Sequence, residues 1–303
     1  MGKNAANDIK TVGFIGLGRM GSPMAMNLIK GGYSLLVYDL IPQAMAPLAE
    51  AGAKAASSIA ELTQNSDAII TILPADREIL DVYAGPGGII ESAAGPKLCI
   101  EMTSAMGSTL KHVAQLAQEK GALLSFVDAP VSGGVDGAVA GTLTIMSAGE
   151  EDDVRRARPL LEAMGKNIFF AGKLGDGKTV KMINQLLNAV NTAVAAEAMY
   201  LAKRLNVDIG LMLEIVGKSS GNSWVMQGNV PKFMLPKKYD AGFKLGLMTK
   251  DLALSLDESI KQGIDLPIAG QALREYRQTI EKLGGEVNYN AVGEWIEDHN
   301  CGE

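Results

Sequence analysis

At 303 residues and 47% apolar composition, the chain has room for two domains, each with its own core. A net charge of −6 leaves no polybasic footprint, so neither nucleic acid nor an anionic membrane is an expected partner. The opening MGKNAANDIK lacks a signal's apolar core, no later apolar run reaches membrane-spanning length, and the two cysteines (Cys99, Cys301) suggest neither a disulfide framework nor a metal site. A reducing, cytoplasmic compartment is expected. The two histidines, His112 and His299, lie in charged stretches, so any proton transfer should use another residue type.

In chain order, Thr11 to Ile15 reads as a short strand and is followed at once by Gly16, Leu17, Gly18, Arg19, Met20 and Gly21. A helical pattern from Pro23 to Lys30 comes next, then a second strand, Ser34 to Tyr38, closing on Asp39. A GxGxxG run alone is weak, but here a strand precedes it, a helix follows it, and an acid stands 21 residues after Gly18. That context predicts a dinucleotide site, with the pyrophosphate against the glycine loop and the helix N-terminus. Asp39 would accept hydrogen bonds from ribose hydroxyls and repel a 2′-phosphate, favouring NAD over NADP; it could also serve as the N-cap of a helix beginning near Pro42.

The alternation continues with a helix at 42–51, a strand at 68–73, a helix at 76–83, a strand at 97–101, a helix at 108–120 and a strand at 123–127. This pattern predicts a doubly wound, mostly parallel sheet of Rossmann type over residues 1–173. Ligands sit beyond the carboxyl ends of such strands, so Leu73-Pro74, Thr103-Ser104 and the run from Asp128 to Gly134 should rim one crevice. In DAPVSGG, a serine hydroxyl beside two glycines is either a plain turn or an anion cradle suited to a carboxylate. Residues 150–165 then read as a helix and 167–171 as a last strand.

After Gly175 the character changes to all-helical. The long segment 175–204 places Lys181, Asn184, Asn188 and Asn191 on one stripe of an otherwise apolar helix, so the stripe should be withdrawn from water. Taken alone, Lys181 is either a lysine snorkelling from a core helix or a buried functional amine. Further helices are expected at 208–218, 222–233, 249–262 and 267–283, with Gly263 as a C-terminal cap. Met199, Met212 and Met248 read as core residues, and Trp224 reads either as core or as a rim residue of the substrate entrance. Residues 174–303 are therefore expected to form an all-helical domain.

Three stretches together, GFIGLGRMGSPMAMNLIKGGY (13–33), DAPVSGG (128–134) and GDGKTVKMINQ (175–185), resemble the β-hydroxyacid dehydrogenase family, and GFKLGLMTKDLALSLD (242–257) is similar to a later family segment. The resemblance implies an NAD-dependent oxidoreductase that interconverts a small 3-hydroxy acid and its semialdehyde. It implies Lys181 as the catalytic acid/base with Asn184 on the substrate, and Ser132, Gly133 and Gly134 on its carboxylate. Lys250 falls where the family has a lysine near the nicotinamide, with Phe243 and Asp251 close by. Leu73, Pro74 and Thr103 are expected at the cofactor, although 101–107 departs from the family's usual Asp-x-Ser-Ser/Thr pattern. Homodimers or homotetramers are implied. A lysine used as a base needs its pKa lowered by desolvation or a like charge, and the expected like charges are Lys178, one turn back, and Lys250 from the second domain. The alternatives are an imine reductase on the same fold, against which Lys181 argues, and a catalytically silent NAD(P)-binding module.

Overall fold

The computed structural model describes residues 9–240 and 242–301; the first eight residues of the opening stretch and the Cys301 side chain lie outside the described set. Two compact units emerge, Met1–Lys181 and Met182–Glu303, and the division falls inside the helix Asp176–Arg204.

The first unit is built on nine strands among the described residues: β1 (Thr11–Ile15), β2 (Ser34–Tyr38), β3 (Lys54–Ala55), β4 (Ala68–Thr71), β5 (Lys97–Glu101), β6 (Leu124–Asp128), β7 (Val131–Ser132), β8 (Leu143–Gly149) and β9 (Gly165–Gly172). Their order is β3-β2-β1-β4-β5-β6-β8-β7, with β9 pairing the other side of β8. The run from β3 to β6 is parallel throughout, and β8 turns antiparallel to β6 and β7. Strand order reverses between β1 and β4, so a crevice opens beyond their carboxyl ends, the ligand position in doubly wound sheets. Val12, Phe14, Ile70 and Ile100 are fully buried in one core cluster, while Ile69 and Cys99 join another formed on the opposite face. Alternation of this kind along strands covered by helices on both sides explains their unbroken apolar character.

The expected first-unit strands recur with shifts of a residue or two at their ends, except that the run expected at 68–73 stops at Thr71. The expected helix at 42–51 is instead a 3-10 turn, Pro42–Ala44, followed by a short helix, Ala46–Glu50. β7, β8 and the short helix Gly134–Ala140 went unread, because LTIMSAG adjoins a small-residue run that carries little periodicity.

The second unit packs its helices around a core of Val230, Leu245, Met248, Leu252, Tyr276 and Val292. Its helices include Ile209–Gly217, Leu245–Lys261, Pro267–Leu283 and Val292–Cys301. Residues Val225–Met234 form a π-helix rather than the expected α-helix; Pro231 inside it has no N–H to donate, which favours wider i→i−5 bonding such as Leu235 N–H to Val230 O at 3.0 Å. Trp224 is 74% exposed, so of its two sequence readings the core one fails. Met248 is buried, and Met199 and Met212 pack partly buried against the same core. Among the described residues, no helix is long and apolar enough to cross a membrane.

The turn after β1 depends on a missing side chain. Gly16 adopts φ +92°, and a Cβ there would lie 2.1 Å from the carbonyl oxygen of Ile72. Gly16→Ala is expected to cost about 2–4 kcal/mol, combining backbone strain with overpacking. The urea midpoint of the purified variant reads this directly, and an unchanged midpoint would contradict the tight path.

Candidate active site

The glycine loop has three positions with three different demands. Gly16 makes the turn; a Cβ on Gly21 would lie 1.9 Å from Gly16 O, so its absence lets the helix Gly21–Lys30 start against the strand. Gly18 is exposed, and nothing lies within 4 Å of where its Cβ would be. The loop backbone is thus open at the middle glycine, which fits the approach of a pyrophosphate. Arg19, beside it, is also exposed.

Asp39 closes this loop from the end of β2. Its Oδ2 accepts the Leu17 N–H at 2.7 Å and its Oδ1 accepts the Ile41 N–H at 2.8 Å. The second bond is an Asx turn, and the following 3-10 helix is capped at Ile41, so Asp39 is not that helix's N-cap. A carboxylate oxygen accepts more than one hydrogen bond, so both oxygens retain capacity for ribose hydroxyls. The donor set and the open glycine cradle fit a dinucleotide.

Next along the sheet, Leu73 and Pro74 follow β4 and Thr103 follows β5, and these are joined. The Leu73 N–H donates to Thr103 Oγ1 at 2.8 Å. Thr103 is buried, and its hydroxyl in turn donates to Glu101 Oε1 in a very short bond. The Thr103 hydroxyl was expected at the cofactor; its one proton is instead committed inside the protein, and it fixes the loop that carries Leu73.

Glu101, Asp128 and Lys178 form a fully buried ionic cluster. Lys178 Nζ bonds Glu101 Oε2 closely, donates to Thr103 O at 2.7 Å, and lies 3.7 Å from Asp128 Oδ1. The Lys178 backbone N–H donates to Asp128 Oδ2 at 2.9 Å, so a carboxylate from the end of β6 caps the first turn of Asp176–Arg204. Gly177 makes this possible: a Cβ there would lie 2.3 Å from Met146 O and 3.0 Å from Asp128 Oδ2. Two carboxylates face one ammonium, so the cluster carries a net charge of about −1 with all three groups ionised. Lys178 therefore brings no net positive charge toward Lys181, and its expected role as a like charge is withdrawn.

Lys181 follows one turn later and is 7% exposed; Asn184, Asn188 and Asn191 on the same stripe are half-buried. The stripe is withdrawn from water as expected, but the helix is not buried all round. Ile183, Leu187, Val194 and Leu201 are each more than half exposed. In the DAPVSGG run, Ser132 ends β7 and is half-buried, while Gly133 (φ +131°) and Gly134 are exposed at the start of the helix Gly134–Ala140. The run is therefore a strand end and a helix start rather than a simple turn.

Within the second unit, Asn184 Nδ2 donates to Gln185 Oε1 at 3.1 Å, and Gln185 Nε2 donates to Asp251 Oδ2 at 2.8 Å. Asp251 Oδ1 pairs with Lys250 Nζ at 3.0 Å. One chain of contacts thus joins the predicted residues Asn184 and Lys250 through Gln185 and Asp251, although sequence reasoning assigned Gln185 no place in the site. Phe243 stands edge-on to Tyr289, ring centroids 5.9 Å apart, and Tyr289 Oη receives from Asn229 and donates to Asn188 Oδ1 at 3.3 Å. No group of three or more metal-ligating side chains occurs among the described residues. Both histidines are exposed, and burial pushes the Cys99 thiol up to about 12.

The model of the NAD binding domain of 6-phosphogluconate dehydrogenase matches residues 11–172, and the model described as NAD-binding of NADP-dependent 3-hydroxyisobutyrate dehydrogenase matches residues 175–296. A mitochondrial 3-hydroxyisobutyrate dehydrogenase of Mus musculus is 37% identical over 297 residues, covering 95% of this chain and 87% of that protein. An NAD-dependent L-serine dehydrogenase of Pseudomonas aeruginosa is 37% identical over 290 residues, covering 94% and 97%. Among solved structures, the Mycobacterium tuberculosis 3-hydroxyisobutyrate dehydrogenase with L-serine superposes with a TM-score of 0.87 at 31% identity, over 95% of this chain and 99% of that one.

Burial raises the Asp128 carboxyl from its ordinary 3.8 to about 6, against the opposing pull of Lys178. Between these values the folded state holds a proton that the unfolded state has released, so this group's contribution to stability falls as pH rises from about 4 to 6. Asp128→Asn should remove that slope. Comparing urea titrations at pH 4.5 and 7, wild type should lose about 2 kcal/mol relative to the variant. Parallel curves would show that Asp128 titrates normally.

Proposed function

The chain belongs to the β-hydroxyacid dehydrogenase family, and from that premise we propose that it interconverts a small 3-hydroxy acid and its semialdehyde, with NAD as cofactor and Lys181 as the acid/base. Residues 1–173 would bind the cofactor and 174–303 would shape the substrate site and the assembly. The single observation that carries the reading is the division of labour between the two lysines of GDGKTVK. Lys178 is spent as a buried counter-ion to Glu101, so proton transfer falls to Lys181, also buried and on a polar stripe.

A nicotinamide held by the first unit would supply the two-electron chemistry, as acceptor of the substrate's hydride in oxidation and its donor in reduction. What remains for the protein is one proton and one orientation. In oxidation the neutral Lys181 amine takes the hydroxyl proton as the C–H bond to the same carbon breaks; in reduction the ammonium returns a proton to the carbonyl oxygen. Asn184, one turn along the helix, orients the substrate oxygen. Ser132 and the backbone of Gly133 and Gly134 would receive the carboxylate, Lys250 and Phe243 would serve as further substrate residues, and Leu73 and Pro74 would border the cofactor on a loop that the buried Thr103 holds. Asp39 supports NAD over NADP, since a 2′-phosphate would stand against a carboxylate already holding Leu17 and Ile41.

The test is an initial-rate panel of 3-hydroxy acids (3-hydroxyisobutyrate, L-serine, glycerate, 3-hydroxypropionate and 2-hydroxymethylglutarate) with NAD and NADP in parallel. One or more acids should turn over with NAD preferred. Lys181→Ala should lower kcat by roughly 10²–10⁴-fold with NADH affinity within a few-fold. A flat panel with intact NADH binding would favour a silent binding module, and NADP preference would refute the Asp39 argument.

Assembly as a homodimer or homotetramer belongs to the same proposal. Leu187, Val194 and Leu201 recur every seven residues along the exposed face of the long helix, a spacing that suits packing against another helix. Leu187→Glu should shift the species seen by light scattering to a smaller one. An unchanged mass would place the interface elsewhere.

A further inference from the structure

Glu101 lies fully buried at the end of β5, and each of its two oxygens has a different partner. Oε1 takes the Thr103 hydroxyl and, at 3.1 Å, the Thr103 backbone N–H. Oε2 takes the Lys178 ammonium. Lys178 is held at both ends, by its head on Glu101 and Thr103 O and by its backbone N–H on Asp128. The first helical turn of Asp176–Arg204 is thereby fixed in rotation and in height against the ends of β5 and β6. Lys181 projects from that helix three residues later, on the same side as Lys178.

The second consequence runs through Thr103. An ionised carboxylate only accepts, so the Thr103 hydroxyl must donate to Glu101 and present a lone pair elsewhere. That lone pair receives the Leu73 N–H at 2.8 Å, which orients the loop after β4. One carboxylate therefore sets both the loop bordering the crevice and the helix bearing the lysine. Net stability is a poor explanation for such a cluster. A buried ion pair commonly contributes little beyond a well-packed apolar replacement, whereas here its hydrogen bonds tie the end of one strand to the first turn of the helix.

We propose that Glu101, acting through Lys178, is a positioning residue for catalysis that holds Lys181 in line for proton transfer. The inference rests on the reading of Lys181 as the acid/base. Glu101→Gln keeps the side chain's length but gives it a donor: whichever way the amide faces, it meets the donors of either Lys178 or Thr103. Lys178→Met keeps length and removes the charge. The double variant Glu101→Gln/Lys178→Met restores the cluster's net charge of about −1 and removes the donor conflict at position 178, while the ionic tie between strand and helix stays broken.

The experiment measures kcat, KM, NADH affinity and thermal midpoint for wild type, Glu101→Gln, the double variant and Lys181→Ala, with the acid that turns over best. Glu101→Gln should lower kcat roughly 10–100-fold, the scale of a misplacement of about 1 Å, with KM within a few-fold. The double variant should regain much of the lost thermal midpoint but keep the low kcat. A purely structural role predicts the opposite, that turnover recovers together with stability. Should Glu101→Gln fail to fold, the double variant alone still decides. Double-variant kcat within threefold of wild type overturns the inference while a collapsed Lys181→Ala leaves the acid/base assignment standing. Full activity in Lys181→Ala overturns that assignment itself, and the inference with it.

Discussion

Placing a lysine ammonium wholly out of water is tolerable only if carboxylates and carbonyls replace the solvent around it, and Lys178 meets that condition with Glu101, Thr103 O and Asp128. Much of the first unit's geometry follows from satisfying it. β5 and β6 must end side by side with acids at their last positions, which their parallel register provides by pairing Glu101 with Asp128. The first turn of the helix must hold a glycine, Gly177, small enough to let Asp128 reach the Lys178 N–H. The loop after β4 must come close enough for Leu73 to bond Thr103.

The same logic of one acid serving two elements recurs at Asp39. There a carboxylate at the end of β2 holds the glycine loop through Leu17 and its own following turn through Ile41. In both places a strand-terminal acid organises backbone at the carboxyl edge of the sheet, where loops carry function and have few other constraints. The edge is therefore tied by hydrogen bonds where a cofactor would lie, and the middle glycine of the loop leaves the backbone accessible. In the second unit, amides do comparable work. Gln185 links Asn184 to Asp251, and Tyr289 links Asn188 to Asn229, so two asparagines of the long helix's polar stripe are held by hydrogen bonds to side chains of the second unit.

These arrangements give the two lysines of one short motif distinct fates. Their spacing places them on the same side of the helix, yet one is neutralised by the sheet and the other is not part of that cluster. The fold also leaves an apolar face of the long helix exposed, at Ile183, Leu187, Val194 and Leu201, where composition alone suggested burial all round. The hydropathy of a helix states how much apolar surface needs covering, and only packing decides which neighbour covers it.

The sequence by itself determined the alternation of strands and helices, the glycine loop with its acid at Asp39, the polar stripe around Lys181 and the change to helices after Gly175. These are local patterns of period, spacing and turn chemistry, and they survive folding because the core that buries them has the same periods. Family membership was legible from three motifs for the same reason. The tertiary structure alone decided that Glu101, Asp128 and Lys178 meet, since they are separated by 77 and 50 residues and nothing local marks them as partners. It also decided that the Thr103 hydroxyl points inward, that LTIMSAG is a strand, and that Pro231 sits in a π-helix. Each of those outcomes depends on which groups a buried donor or acceptor finds across space, and that is fixed by strand order and register rather than by neighbours in the chain.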